Sequence, residues 1–215
     1  MKIEYYGHSC FKITLSSGVS ILTDPFEGIG YELPENLQAD ILCVSHDHFD
    51  HANTAAVQAK YLIQDKGSYS VGGVKITAVE RDHDEKNGAL RGKNLVFVFE
   101  TDELTFCHMG DIGEPASGAW LDKLPRIDLL MIPVGGNYTI DALEAVKYVE
   151  KIKPAVVIPM HYKTSDCNID IAGVDAFLIA ADLYEIDDAI GETEIKKADL
   201  TRKKIILMER KKSES

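Results

Sequence analysis

The sequence predicts an α/β fold, and three observations carry that expectation. Short apolar runs bounded by turn residues recur along the chain, clearest at Ile41–Val44, Asp128–Val134 and Ala155–Met160. Their length and β-branched content suit strands covered on both faces. Between such runs lie stretches with helical spacing, as where Leu143, Val146 and Val149 recur between Ile140 and Ile152. Strands that alternate with helices mark the α/β class.

The elements follow in order. Lys2–Tyr6, Cys10–Leu15 and Val19–Leu22 read as strands separated by Gly7-His8-Ser9 and Ser16-Ser17-Gly18. Phe11, Ile13 and Leu15 alternate with polar neighbours, the pattern of a half-buried strand. Asp24-Pro25-Phe26 ends the third strand. The loop from there to Asp40 carries Gly28, Gly30 and Pro34 and reads as a rim or lid, with Phe26 and Tyr31 as pocket walls. Ile41–Val44 is the next strand, and Ala52–Ala59 reads as a helix.

Tyr61–Gln64, Ser68–Val71 and Val74–Val79 are strands, the last two joined as a hairpin through Gly72-Gly73. Asn94–Phe99 and Leu104–Met109 form a pair, and Pro115–Leu124 reads as a short helix carrying Trp120. After the strand Asp128–Val134, Thr139 caps a helix from Ile140 to Ile152, which Pro154 stops. The strand Ala155–Met160, a helix near Val174–Leu183, an acidic connector and the strand Lys203–Met208 follow. Residues 1–210 thus read as a single domain and 211–215 as a disordered tail.

Composition narrows the function classes. A hydrophobic fraction of 45% supports a sizeable core, and no apolar stretch approaches the ~20 residues that span a bilayer. The chain begins with a strand pattern and no apolar signal core. Cys10, Cys43, Cys107 and Cys167 form no Cys-x-x-Cys pair, so they read as reduced, structural thiols of a cytoplasmic protein. With 35 acidic against 23 basic residues the net charge is -12. That balance argues against unspecific binding to nucleic acid or to an anionic membrane. Nothing in it speaks to oligomeric state.

The chain is organised around Ser45-His46-Asp47-His48-Phe49-Asp50-His51, which places three histidines and two aspartates within seven residues. The cluster leaves a buried strand, so a rigid scaffold can hold several side chains toward one point. Imidazole nitrogen and carboxylate oxygen are ligands that zinc accepts. His46 and His48 project to the same side of extended backbone. Asp50 and His51 are adjacent and must diverge, which suggests a second metal beside the first.

This His-x-His-x-Asp-His loop resembles the signature of the metallo-β-lactamase superfamily. Gly7-His8-Ser9-Cys10 and Leu22-Thr23-Asp24-Pro25 look like its branch of small hydrolases related to ascorbate-6-phosphate lactonase. The resemblance implies a four-layer αββα sandwich, two mixed sheets face to face with helices outside. It also implies three further ligands: His83 for the first metal, Asp111 of Gly110-Asp111 as the bridge between both metals, and His161 for the second. The division is then His46, His48 and His83 on one ion and Asp50, His51 and His161 on the other, with Asp111 between. The implied cofactors are two divalent ions, zinc first, with manganese or iron as alternatives.

Several neighbours keep two readings each. His8 faces the substrate or a ligand, or is a turn histidine bonded to backbone. Asp24 orients a ligand histidine through its other ring nitrogen, or forms a simple Asp-Pro turn. Gly136, in Gly135-Gly136-Asn137-Tyr138, cradles an anion with its amide or forms a plain turn. Lys163 pairs with a carboxylate or phosphate, or is a solvated amine. Asp84 is a ligand or an orienter. His108 lies within a strand and is expected to make a core hydrogen bond.

The resulting expectation is a metal-dependent hydrolase. A hydroxide shared by two metals would cleave a small ester, lactone or phosphodiester, and the catalytic residues would be Asp50 and Asp111. Two divalent cations outweigh Asp50, Asp111 and one hydroxide by one charge, so an anionic small-molecule substrate is admissible. The alternative is a non-hydrolytic metal protein on the same fold, with a di-iron redox or sensory role.

Overall fold

The computed structural model describes residues 1–212 and contains two mixed sheets. The first sheet is built from β1 (Lys2–Gly7), β2 (Cys10–Thr14), β3 (Ser20–Thr23), β4 (Leu37–Cys43), β5 (Val57–Ile63) and β13 (Glu192–Glu194). Their order is β13-β1-β2-β3-β4-β5. The second holds β6 (Gly67–Val71), β7 (Val74–Asp82), β8 (Lys93–Glu100), β9 (Thr105–His108), β10 (Leu129–Pro133), β11 (Val156–Met160), β12 (Glu185–Ile190) and β14 (Lys204–Glu209). Its order is β12-β14-β11-β10-β9-β8-β7-β6.

The period-two alternation of the strands explains the layering. Ile3, Phe11, Ile13, Ile21, Ile41 and Cys43 of the first sheet join Phe97, Phe99, Met131 and Ile158 of the second in one core between the sheets. Phe99 and Phe106 stack there with ring centroids 4.6 Å apart. Fully burying one such side chain contributes about 1.5–3 kcal/mol, so this layer fixes how the sheets face each other. The intervening residues Val96, Val98, Leu130, Ile132 and Val157 point outward and pack with α1 (Ala142–Ile152) and with Phe177 of α2 (Asp175–Ala180). Over the first sheet, Leu22, Leu42 and Tyr6 pack with Phe26, Ile29 and Tyr31 of the loop that precedes β4. The sandwich is as expected, with a loop covering the first sheet.

Some expected elements differ. Ala52–Ala59 is not a helix: Thr54–Ala56 makes one 3₁₀ turn, and Val57 opens β5, which pairs in parallel with β4. β5 is an edge strand whose residues 58–62 are exposed, so its sequence carries no buried alternation. Pro115–Leu124 contains only a 3₁₀ turn at Leu121–Lys123. The cap of α1 is Asp141, which accepts from Glu144 N at 2.8 Å, and not Thr139. The acidic connector after α2 is the edge strand β12, parallel to β14. Phe26 and Tyr31, expected as pocket walls, are buried where their loop packs on the first sheet, and Phe26 lines a groove with Leu33 and Asn53 that includes none of the histidines. Lys211 is no free tail: its ammonium bonds Glu4 at 2.6 Å and Glu192 at 3.2 Å. Residues 213–215 of the expected tail lie outside the described residues.

Candidate metal centre

Every side chain of the cluster leaves the C-terminal end of a strand. His8 follows β1, Asp24 follows β3, and His46, His48, Asp50 and His51 follow β4. From the second sheet, His83 follows β7, Asp111 follows β9 and His161 follows β11. Strand ends of an α/β sheet are where side chains from distant segments can converge without interrupting a ladder. Among the positions of positive φ are His8 (55°), Asp24 (41°) and His161 (51°). That backbone is costly for a side chain bulkier than glycine and persists where surrounding structure imposes it.

Asp111 is the centre. Its Oδ2 lies 3.1 Å from His161 Nε2, 3.2 Å from His51 Nε2, 3.7 Å from His83 Nε2 and 4.0 Å from His46 Nε2. Gly110 makes this approach possible, since at φ 53° a Cβ would collide with Asn94 Oδ1 and Ser45. Asn94 holds the turn from both sides: Asp111 N donates to its Oδ1 at 2.8 Å, and its Nδ2 donates to Met109 O at 2.9 Å.

Asp24 is the second organiser, and it matches its orienting reading. Its Oδ2 accepts from His51 Nδ1 at 2.9 Å and from Ser45 Oγ at 2.7 Å, while Oδ1 accepts from Ser45 N at 2.7 Å. An ionised carboxylate only accepts, so the His51 proton sits on Nδ1 and Nε2 is turned toward Asp111. The role of Ser45 has no signal of its own in the sequence, because Asp24 lies 21 positions away and is brought beside it only by folding. His8 lies within the cluster, with Nε2 3.1 Å from Asp50 Oδ2 and its ring centroid 4.1 Å from that of His161.

The electrostatics fit a cation. Burial would lower the His51 pKa, but Asp111 and Asp24 outweigh burial and hold it well above the usual value. Burial would likewise raise Asp111, but His161 and His51 hold its pKa well below the carboxylate range. Burial, and the charge on His51, push His46 well below 6.5; burial lowers His83 as well. The arrangement keeps the Asp111 carboxylate ionised, with His46 and His83 beside it held toward their neutral form. The buried atoms His46 Nε2, His51 Nε2, His161 Nε2, both ring nitrogens of His83 and Asp111 Oδ1 have no hydrogen-bond partner. Orphaned buried polar atoms are costly unless something else satisfies them. Donor atoms of His8, Asp50, His51 and His161, of His46, His48 and His83, and of His46, His51 and Asp111 form three groups, each within 4.8 Å. Nitrogen and oxygen donors so placed fit a divalent ion such as zinc.

Other expected residues stand elsewhere. Gly136 makes a plain turn, its N–H donating to Ile140 O at 3.2 Å, and it lines a groove beside Asp141 rather than the cleft of the cluster. Lys163 Nζ donates to Ile169 O at 2.7 Å and braces a loop. Asp84 turns its carboxylate to four backbone N–H groups, of Lys86, Gly88, Leu90 and Arg91, at 2.8–3.0 Å. His108 makes the expected core bonds: Nε2 donates to Ser9 O at 2.9 Å, and Gly110 N donates to Nδ1 at 3.2 Å. The four cysteines are free and buried.

The cluster opens into a cleft of about 630 Å³ lined by His48, Asp50, His83 and Asp111, with Phe49, Tyr138 and Arg91 at its sides. Residues 2–161 match the family model of the beta-lactamase superfamily domain. The chain belongs to that superfamily. It is 33% identical over 193 residues to a UPF0173 metal-dependent hydrolase of Thermococcus onnurineus, covering 76% of this chain and 85% of the relative. A UPF0173 metal-dependent hydrolase of Thermoplasma acidophilum is 30% identical, covering 77% and 85%. A crystal structure from Thermotoga maritima, provisionally assigned as a Zn-dependent hydrolase of the metallo-β-lactamase superfamily, superposes with a TM-score of 0.81. It is 36% identical and covers 98% of this chain and 99% of its own. This member of the superfamily is therefore a metal-dependent hydrolase on the metallo-β-lactamase fold. Among the described residues, no helix is long and apolar enough to cross a membrane.

Proposed function

We propose that the cluster holds two divalent cations, zinc first, and that the protein hydrolyses a small ester, lactone or phosphodiester. The observation that carries this reading is the convergence of four imidazole Nε2 atoms within 4.0 Å of Asp111 Oδ2. One ion would be held by His46, His48 and His83, the other by Asp50, His51 and His161, with Asp111 reaching both. Ions held there would supply Lewis acidity and lower the pKa of bound water toward about 7.

The chain's own groups do the rest. Asp24 keeps the His51 proton on Nδ1, and Asn94 and Gly110 fix the approach of Asp111. Asp50 Oδ2 borders the cleft and accepts from His8 Nε2 at 3.1 Å, a bond that fixes how this carboxylate faces the cleft. The buried thiols leave no cysteine to attack in place of water. A cleft of about 630 Å³ suits a small molecule rather than a polymer.

The test is to measure turnover of a lactone, a phosphodiester and an ester by the purified protein with and without added Zn²⁺ or Mn²⁺. Metal content is read by mass spectrometry. Metal-dependent turnover in one class is expected. Turnover that ignores metal, or none in any class, overturns the proposal.

A further inference from the structure

Arg91 stands at the side of the cleft that holds His48, His83 and Asp111, and no other arginine or lysine lines that cleft among the described residues. The chain has 35 acidic residues against 23 basic ones, so an arginine without a carboxylate partner is unusual here. Neighbouring cations are engaged: Lys93 with Asp82, Arg81 with Glu114, and Lys163 with Ile169 O. For the Arg91 guanidinium, no hydrogen bond or ion pair occurs among the described residues. Its carbon lies instead 5.4 Å from the centroid of the Tyr138 ring, a face that steadies a cation without neutralising it.

The backbone beneath Arg91 is fixed. Arg91 N donates to Asp84 Oδ2 at 2.8 Å, the last of the bonds by which that carboxylate gathers the loop. The next residue is tied to the cluster, because His83 N donates to Gly92 O at 3.1 Å. A planar, permanently charged fork is thus held in register with a candidate metal ligand, its donors free and its stem supported. Such a group matches an oxyanion.

We propose that Arg91 recognises a carboxylate or phosphate group of the substrate, so that this hydrolase selects anionic small molecules. The inference rests on the hydrolase reading of the same cleft. Tyr138 serves as the shelf for the guanidinium, and Asp84 positions the loop without touching the substrate.

The experiment titrates zinc-loaded wild type, Arg91→Gln and Arg91→Lys by calorimetry with glutarate and with valerate, which differ in one terminal carboxylate. A parallel arm with 4-phosphonobutyrate against butyrate tells which oxyanion is preferred. The wild type should prefer the doubly anionic member of at least one pair by about tenfold or more, the scale of a charge-assisted bond. Arg91→Gln should cut that preference below about twofold. Arg91→Lys should keep part of it, since the charge remains and the fork is lost. No preference in the wild type, or one that survives in Arg91→Gln, overturns the proposal. Zinc content, read separately, reports on the hydrolase reading: absence of zinc with the anion preference intact would sink that reading and leave this one standing.

Discussion

Asp24 Oδ2 lies 2.9 Å from His51 Nδ1 although 27 positions separate the two residues, and the same oxygen accepts from Ser45 Oγ at 2.7 Å. One buried carboxylate therefore sets both the tautomer of a candidate ligand and the start of the loop that carries the others. Asp24→Asn puts an amide donor opposite donors that are already there. Zinc affinity should fall about 10–100-fold, the usual cost of losing such an orienting partner. Competition with a chelator measures it, and an unchanged affinity would contradict the role given to Asp24.

His83 and His108 are both buried histidines near β9, yet their variants should behave oppositely. Both ring nitrogens of His83 lack partners, so His83→Ala should lose bound zinc without lowering the stability of the metal-free fold. His108 bonds Ser9 O and Gly110 N, so His108→Ala should cost about 1–3 kcal/mol in denaturant melts of the metal-free protein. Finding the two phenotypes exchanged would mean the sites had been assigned the wrong way round.

Gly110→Ala asks whether the close approach of Asp111 is needed. An added Cβ at φ 53° would strike Asn94 Oδ1, the acceptor for Asp111 N–H, and Ser45. The variant should lose about 2 kcal/mol or more of stability, given a strained φ and a displaced buried amide. It should also bind zinc more weakly. A variant as stable as wild type would show that the turn can relax at little cost.

His8 gives a pH dependence. Burial, and after it the charge on His161, push its pKa from 6.5 to about 4. The folded state therefore favours neutral His8, and the unfolded chain binds the extra proton first. The stability this leaves is complete above 6.5 and is lost as pH falls toward about 4. Thermal melts of the metal-free protein across that range should fall more steeply for wild type than for His8→Gln. Equal slopes would remove His8 as the cause.

Much of this was legible in the residues. The strands of the two cores announce themselves because burial on one or both faces forces a period of two or an unbroken apolar run, as in β4, β10 and β11. The edge strands β5 and β12 carry little such constraint: residues 58–62 and most of β12 face solvent, so the start of β5 reads as the end of a helix, with only Tyr61–Gln64 read as strand, and β12 reads as acidic connector. At the cluster, the dense histidine loop and the strand-end positions of His83, Asp111 and His161 carry a local signal. Ser45, Asn94 and Arg91 do not, because their roles depend on partners brought near only by folding. Gly136 and Lys163 sat in suggestive positions and proved to serve their own turn and loop.

The side chains around Asp111 come from both halves of the sandwich: His46, Asp50 and His51 from the loop after β4, and His83 and His161 from strands of the opposite sheet. Any cation gripped by both groups would act as a rivet at one rim of the molecule, and its binding energy would be shared with the docking of the sheets. Chelation would then loosen that rim first, and amide exchange should quicken around residues 45–51 and 108–113 before it does at the far edges.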